Sequence, residues 1–107
     1  MDWEPISLNE INNLIKTSVS VMDIEVLNFW NSIKITPKKW IENHYNSDDQ
    51  FWVVAKTTNH IIYYNDIEEG FNISKINRPF QIEVTSAEQD ELHFALIKLL
   101  KIESTYS

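Results

Sequence analysis

The chain contains no cysteine, which excludes disulfides, thiolate nucleophiles and cysteine-based zinc sites. It contains a single glycine, Gly70. Phosphate-cradling loops of the G-x-G-x-x-G and G-x-x-x-x-G-K types need several glycines, so nucleotide sites built that way are excluded too. Apolar runs extend for only a few residues, too few to cross a bilayer. The opening MDWEPISLNE has neither a basic region nor an apolar stretch of the kind that marks a secretory signal. With the missing cysteine, this leads to the expectation of a cytoplasmic protein. Basic residues are also scarce: nine Lys and Arg stand against sixteen Asp and Glu, for a formal charge of -7. Such a surface repels nucleic acid and anionic membranes and attracts basic proteins. The same charge also serves solubility.

What is present is enough for a core. In 107 residues, 43% are hydrophobic, with four Trp, five Phe and four Tyr. That length and composition predict one domain over residues 1–107, without need of metal or disulfide. Ser7 and Glu10 have the spacing of a capping box, and Ile6 and Ile11 that of a hydrophobic staple. Leu8, Ile11, Ile15, Val19 and Met22 continue with helical spacing. Ile24, Leu27, Trp30 and Ile33 belong to a second helical stretch, either continuous with the first or broken near Ser20 to Asp23. Thr36-Pro37 reads as the start of a short third helix carrying Trp40 and Ile41. From Phe51 the pattern changes. Phe51 to Ala55 is apolar on both faces, as in a central strand, and Thr57 to Asn59 is a turn. Ile61 to Tyr64 is its hairpin partner. A loop from Asn65 to Gly70 follows, in which Gly70 is expected to take a positive φ or to sit in a closely packed turn. Phe71 and Ile73 mark a short strand ending at Arg78-Pro79. Phe80, Ile82 and Val84 alternate with polar residues as in a half-exposed strand. Ser86 and Gln89 then read as the cap of a last helix whose buried stripe is Leu92, Ala95, Leu96 and Leu99. The expected fold is α+β: N-terminal helices, a three- to four-stranded antiparallel sheet and a C-terminal helix.

Many charges have local explanations. Glu10 belongs to the capping box. Glu88, Asp90 and Glu91 fall in the expected first turn of the last helix, and Lys98 and Lys101 toward its end, as the helix dipole favours. His44, His60 and His93 share no metal-ligand spacing, and no serine stands in a G-x-S-x-G context. No metal, cofactor or catalytic group is therefore expected. Lys34, Lys38 and Lys39 form the one basic cluster, isolated against a negative background. Two acidic groups remain. Asp48 and Asp49 precede the first strand, while Asp66, Glu68 and Glu69 follow its hairpin partner. A hairpin places both groups near one end of the sheet, close in sequence to Trp52, Tyr63 and Tyr64. Acids beside aromatic anchors make a candidate surface for a protein partner. The alternative is that the aromatics are core and the acids only solubilise a loop.

The stretch FWVVAKTTNHIIYYNDIEEGFNIS, with Gln89-Asp90-Glu91-Leu92 beyond it, resembles a family of small uncharacterised bacterial proteins from Trp30 onward. These in turn are similar in size, charge and architecture to immunity proteins of bacterial toxin systems of the contact-dependent inhibition type. The resemblance implies a non-catalytic protein that neutralises a basic toxin domain, such as a nuclease, by filling its cleft with carboxylates. A nucleic-acid mimic that blocks a DNA-binding protein, and a small hydrolase using Asp66, Glu68 or Glu69, are the alternatives.

Overall fold

Ser7 starts the first helix as its spacing with Glu10 requires. In the computed structural model, which describes residues 5–42, 50–83 and 88–105, the Ser7 hydroxyl accepts from the Glu10 N–H at 3.1 Å, and the Glu10 carboxylate accepts from Ser7 in return. Helix α1 runs Leu8–Val19. The chain then breaks, because the Asp23 carboxylate caps a new helix by accepting from Val26 N–H at 3.0 Å. This is α2, Ile24–Ile33. Its buried residues are Val26 and Trp30, whereas Ile24 is exposed.

Strand β1, Lys34–Glu42, follows α2 directly. The short third helix expected at Thr36-Pro37 does not form. Pairing with β2 (Gln50–Lys56) slips between Lys34 and Lys38: three residues on β1, Ile35 to Pro37, lie opposite one on β2, Val54. Pro37 sits inside that irregularity, where a residue without an N–H interrupts no ladder bond. The strand sends Trp40 into the core while Ile41 stays exposed, as the two-residue alternation of a strand provides.

Strands β3 (His60–Asn65) and β4 (Gly70–Lys75) continue the antiparallel meander, and β5 (Gln81–Ile82) is a two-residue strand parallel to β1. The sheet order is β4-β3-β2-β1-β5. The sheet is therefore five-stranded and mixed, in place of the expected three or four antiparallel strands. The parallel contact arises because the chain crosses from β4 at one edge to β5 at the other, which no local pattern reveals. Val84, Thr85 and the expected cap Ser86 lie outside the described residues.

Helix α3 is Leu92–Ser104, capped at Glu91 without a side-chain hydrogen bond. Its buried stripe is Leu92, Ala95, Leu96 and Leu99, as the spacing predicts. Its start is not where the capping pattern puts it. Glu88, Gln89, Asp90 and Glu91 precede the helix, because the segment is held against the β4 edge: Phe71 N–H donates to Asp90 C=O at 2.8 Å, and the Asn72 amide bonds both Glu88 N–H and Glu88 C=O, at 2.8 and 3.0 Å.

Both faces of the sheet are buried. The helices cover Val54, Ala55, Ile62, Tyr64 and Phe71. The opposite face gathers Trp40, Phe51, Val53, Ile61, Tyr63 and Ile82. A β2 bulge between Val53 and Ala55 turns Val54 and Ala55 together toward the helices, so FWVVA serves two cores. No helix among the described residues is long and apolar enough to cross a membrane.

Candidate functional site

The residue before α1 is held from two sides. Ile6 N–H donates to Asp66 Oδ2 at 2.8 Å, and Trp52 Nε1–H donates to Ile6 C=O at 2.9 Å. These bonds bring the first turn of α1, with Glu10, against the β3–β4 turn. Asn65 shapes that turn: its side-chain oxygen accepts from Ile67 N–H at 3.0 Å and Glu68 N–H at 3.2 Å, an Asx-turn. The turn closes with Glu69 in the left-handed region, at φ 59°.

A groove of about 500 Å³ lies between the two segments. Pro5, Ile6 and Leu14 form its apolar wall, Glu10, Asp66 and Glu69 its acidic rim, and Tyr64 its floor. A second cavity of about 250 Å³ shares Leu14, Tyr64 and Glu69 and extends along α1 to Asp90 and Glu91. Carboxylates from three separate stretches of chain thus line these two neighbouring depressions. Burial, and then the charges of Glu69, Asp66 and Glu10, push the Tyr64 hydroxyl above its ordinary ionisation range, so it stays a neutral phenol. Among the described residues, no three His, Asp or Glu side chains converge as metal ligands.

The sequence candidates divide. Tyr64, Asp66 and Glu69 meet at the groove. Asp66 is also a structural anchor through Ile6. Trp52 is half-buried, bonded to Ile6, with Lys39 Nζ 5.1 Å from its ring centre. Glu68 sits half-buried in the Asx-turn. Tyr63 is only 1% exposed and stacks on Phe51 in the opposite core, so it offers no contact surface. The alternation of β3 separates it from Tyr64. Asp48 and Asp49 lie outside the described residues. Ile67 is 38% exposed, while Phe71 is buried.

Sequence reasoning missed Leu14, Asp90 and Glu91 as groove residues and gave Glu10 only its capping role. Asp90 and Glu91 carry no signal of their position, because only the backbone pairing with Phe71 removes them from the helix. Asp90 is further held by Lys98, with Nζ 2.6 Å from its carboxylate.

The histidines brace helices. His60 Nδ1 lies 3.0 Å from the Glu103 carboxylate, joining β3 to the end of α3. His93 Nδ1 lies 3.2 Å from Ser18 Oγ, and its Nε2 is 3.6 Å from Glu91. Serine, histidine and glutamate in a row are the residue types of a hydrolytic triad. Here Ser18 is 4% exposed at the α1–α3 contact, whereas Glu91 is 68% exposed and its link is long. This geometry ties two helices together and does not present a nucleophile. His44 lies outside the described residues.

The fold class is α+β, with helices at both ends of the chain and a mixed sheet between. No family model matches the chain, and no curated protein or solved structure is significantly similar to it.

Proposed function

We propose that this domain works without catalysis, by binding a basic protein through the acidic groove between α1 and the β3–β4 turn. The observation that carries the reading is the meeting of Glu10, Asp66 and Glu69 around the Tyr64 floor. No Lys or Arg among the described residues pairs with Glu10 or Glu69. Carboxylates left together at a concave surface are available to a partner's cations, and the net charge of -7 attracts such a partner from a distance. The sequence resemblance suggests the setting: an immunity protein that neutralises a toxin domain, a nuclease being the best electrostatic match.

If a toxin-type gene lies next to the gene for this chain, its product is the partner to test. Co-expression should relieve its growth arrest, and the purified pair should associate quickly at low salt and more slowly at high salt. A pair that binds with a salt-independent rate would sink the electrostatic reading. A toxin that neither binds nor is neutralised would sink the immunity setting.

A further inference from the structure

Helix α3 starts without the devices that usually open a helix. Its first turn holds no acidic residue, and its cap, Glu91, makes no side-chain hydrogen bond. One turn earlier the sequence carries both devices. Ser86 and Gln89 stand at capping-box spacing, and Glu88, Asp90 and Glu91 fall where acids complement the helix dipole. Residues 88–91 are nevertheless not helical. They lie as a strap along β4, because partners outside the segment hold them there. The Asn72 amide bonds both backbone groups of Glu88, Phe71 N–H donates to Asp90 C=O, and Lys98 Nζ lies 2.6 Å from the Asp90 carboxylate. Gly70 leaves the strap its room, since a Cβ there would stand 2.3 Å from the Glu88 carbonyl oxygen. These contacts and a helical strap exclude one another. A helix turns its backbone groups along its own axis, and eight residues of helix rise about 12 Å, which separates Asp90 from Lys98.

We propose that residues 88–91 are a two-state element: a strap sealing β4 in the observed state, and the first turn of a longer α3 in a second state. Local signals favour the helix and tertiary bonds favour the strap. Such a conflict between levels lets one segment hold two arrangements close in free energy. The switch couples two surfaces. In the strapped state Gln89, Asp90 and Glu91 line the cavity of about 250 Å³ with Leu14 and Glu69, and Phe71 N–H is covered. In the helical state the strap withdraws from that cavity and leaves Phe71 N–H uncovered at the edge of the sheet. The proposal stands independently of the domain's binding a basic protein.

The test loosens the strap in the full chain and asks whether the segment gains helix or only loses order. NMR Cα shifts report the conformation of residues 88–91, and hydrogen exchange reports Phe71 N–H. Asn72→Asp keeps the acceptor for Glu88 N–H and loses the donor to Glu88 C=O, whereas Asn72→Ala loses both. Shifts at residues 88–91 should move stepwise toward helical values from wild type to Asn72→Asp to Asn72→Ala, while residues 92–104 stay helical. Phe71 N–H should exchange about tenfold faster in Asn72→Ala. Adding Gln89→Gly removes the capping-box partner and lowers helix propensity. It should therefore reverse the helical gain and slow Phe71 exchange again, so that a helix-breaking change restores protection at a strand edge. A strap that merely frays gives the opposite pattern. Coil-like or unmoved shifts at residues 88–91 in the Asn72 variants, or fast Phe71 exchange that Gln89→Gly does not slow, would overturn the proposal. Where Asn72→Ala fails to fold, Asn72→Asp with and without Gln89→Gly decides between the same outcomes.

Discussion

Gly70 is needed for space and not for its φ. It does not adopt a positive φ; its neighbour Glu69 does. A Cβ on Gly70 would lie 2.3 Å from the Glu88 carbonyl oxygen and 2.4 Å from Gln89 Cα, both backbone atoms that cannot swing aside. Gly70→Ala should therefore destabilise the fold by about 2–3 kcal/mol, the scale of a forced overpacking, as read by urea unfolding. An effect within a few tenths of a kcal/mol would mean that the 88–89 segment yields freely. Tyr64 gives a pH prediction. Its folded pKa is raised, first by burial and then by Glu69, Asp66 and Glu10. The neutral phenol thus contributes stability that is complete below the unfolded value of about 10 and is lost as pH rises through the folded value. Unfolding midpoints should fall more steeply above about pH 10 for wild type than for Tyr64→Phe. Parallel curves would remove the argument.

At the scale of elements, the edge of β4 is sealed by chain that is neither helix nor regular strand. Asn72 does the sealing with one amide, matching both backbone groups of Glu88. Asn72→Ala leaves those groups without their partner and should cost about 1–3 kcal/mol. Hydrogen exchange at Phe71 N–H should accelerate with it, since that amide depends on the same segment through Asp90. Unchanged protection at Phe71 would show that the bridge to Asp90 stands alone. The same segment carries Asp90 and Glu91 to the groove, so loosening it should also weaken binding there. The β2 bulge has a comparable role in the sheet. By inserting Val54 it lets one strand feed two cores, and the second core needs no helix because the sheet curls over it.

Over the whole molecule, acidic residues outnumber basic ones, for a net charge of -7. The acids of the groove lie at the β3–β4 turn, while Lys34, Lys38 and Lys39 sit on β1, two strands away from β3. The net negative charge would draw a basic partner in during approach. Reversing Glu68 and Glu69 to Lys should slow association with such a partner and flatten its salt dependence, because charges of this kind act chiefly on the on-rate. Stability should change by less than about 0.5 kcal/mol. Equal association rates for wild type and the double reversal would move the contact to the lysine-bearing side.

The sequence by itself determined the elements whose signals are local. The capping box at Ser7, the strands through Phe51–Ala55 and Ile61–Tyr64, and the apolar stripe of α3 follow from spacing alone, because each depends on residues within a turn or a pleat. The tertiary structure decided the elements whose bonds are made elsewhere. Thr36-Pro37 carries a helix-start signal, but the bond partners of β1 lie in β2, and they turn the segment into a strand. Ser86 to Gln89 carries a capping signal, but Asn72 and Phe71 claim the backbone at Glu88 and Asp90 and delay the helix to Leu92. The groove shows the same division. The acids and Tyr64 were legible as candidates, and Tyr63 was assigned with them because sequence proximity cannot distinguish the two faces of a strand once both are buried. Glu10 joined the site only through the bonds from Ile6 to Asp66 and Trp52, contacts spanning 60 and 46 residues, which no local pattern encodes.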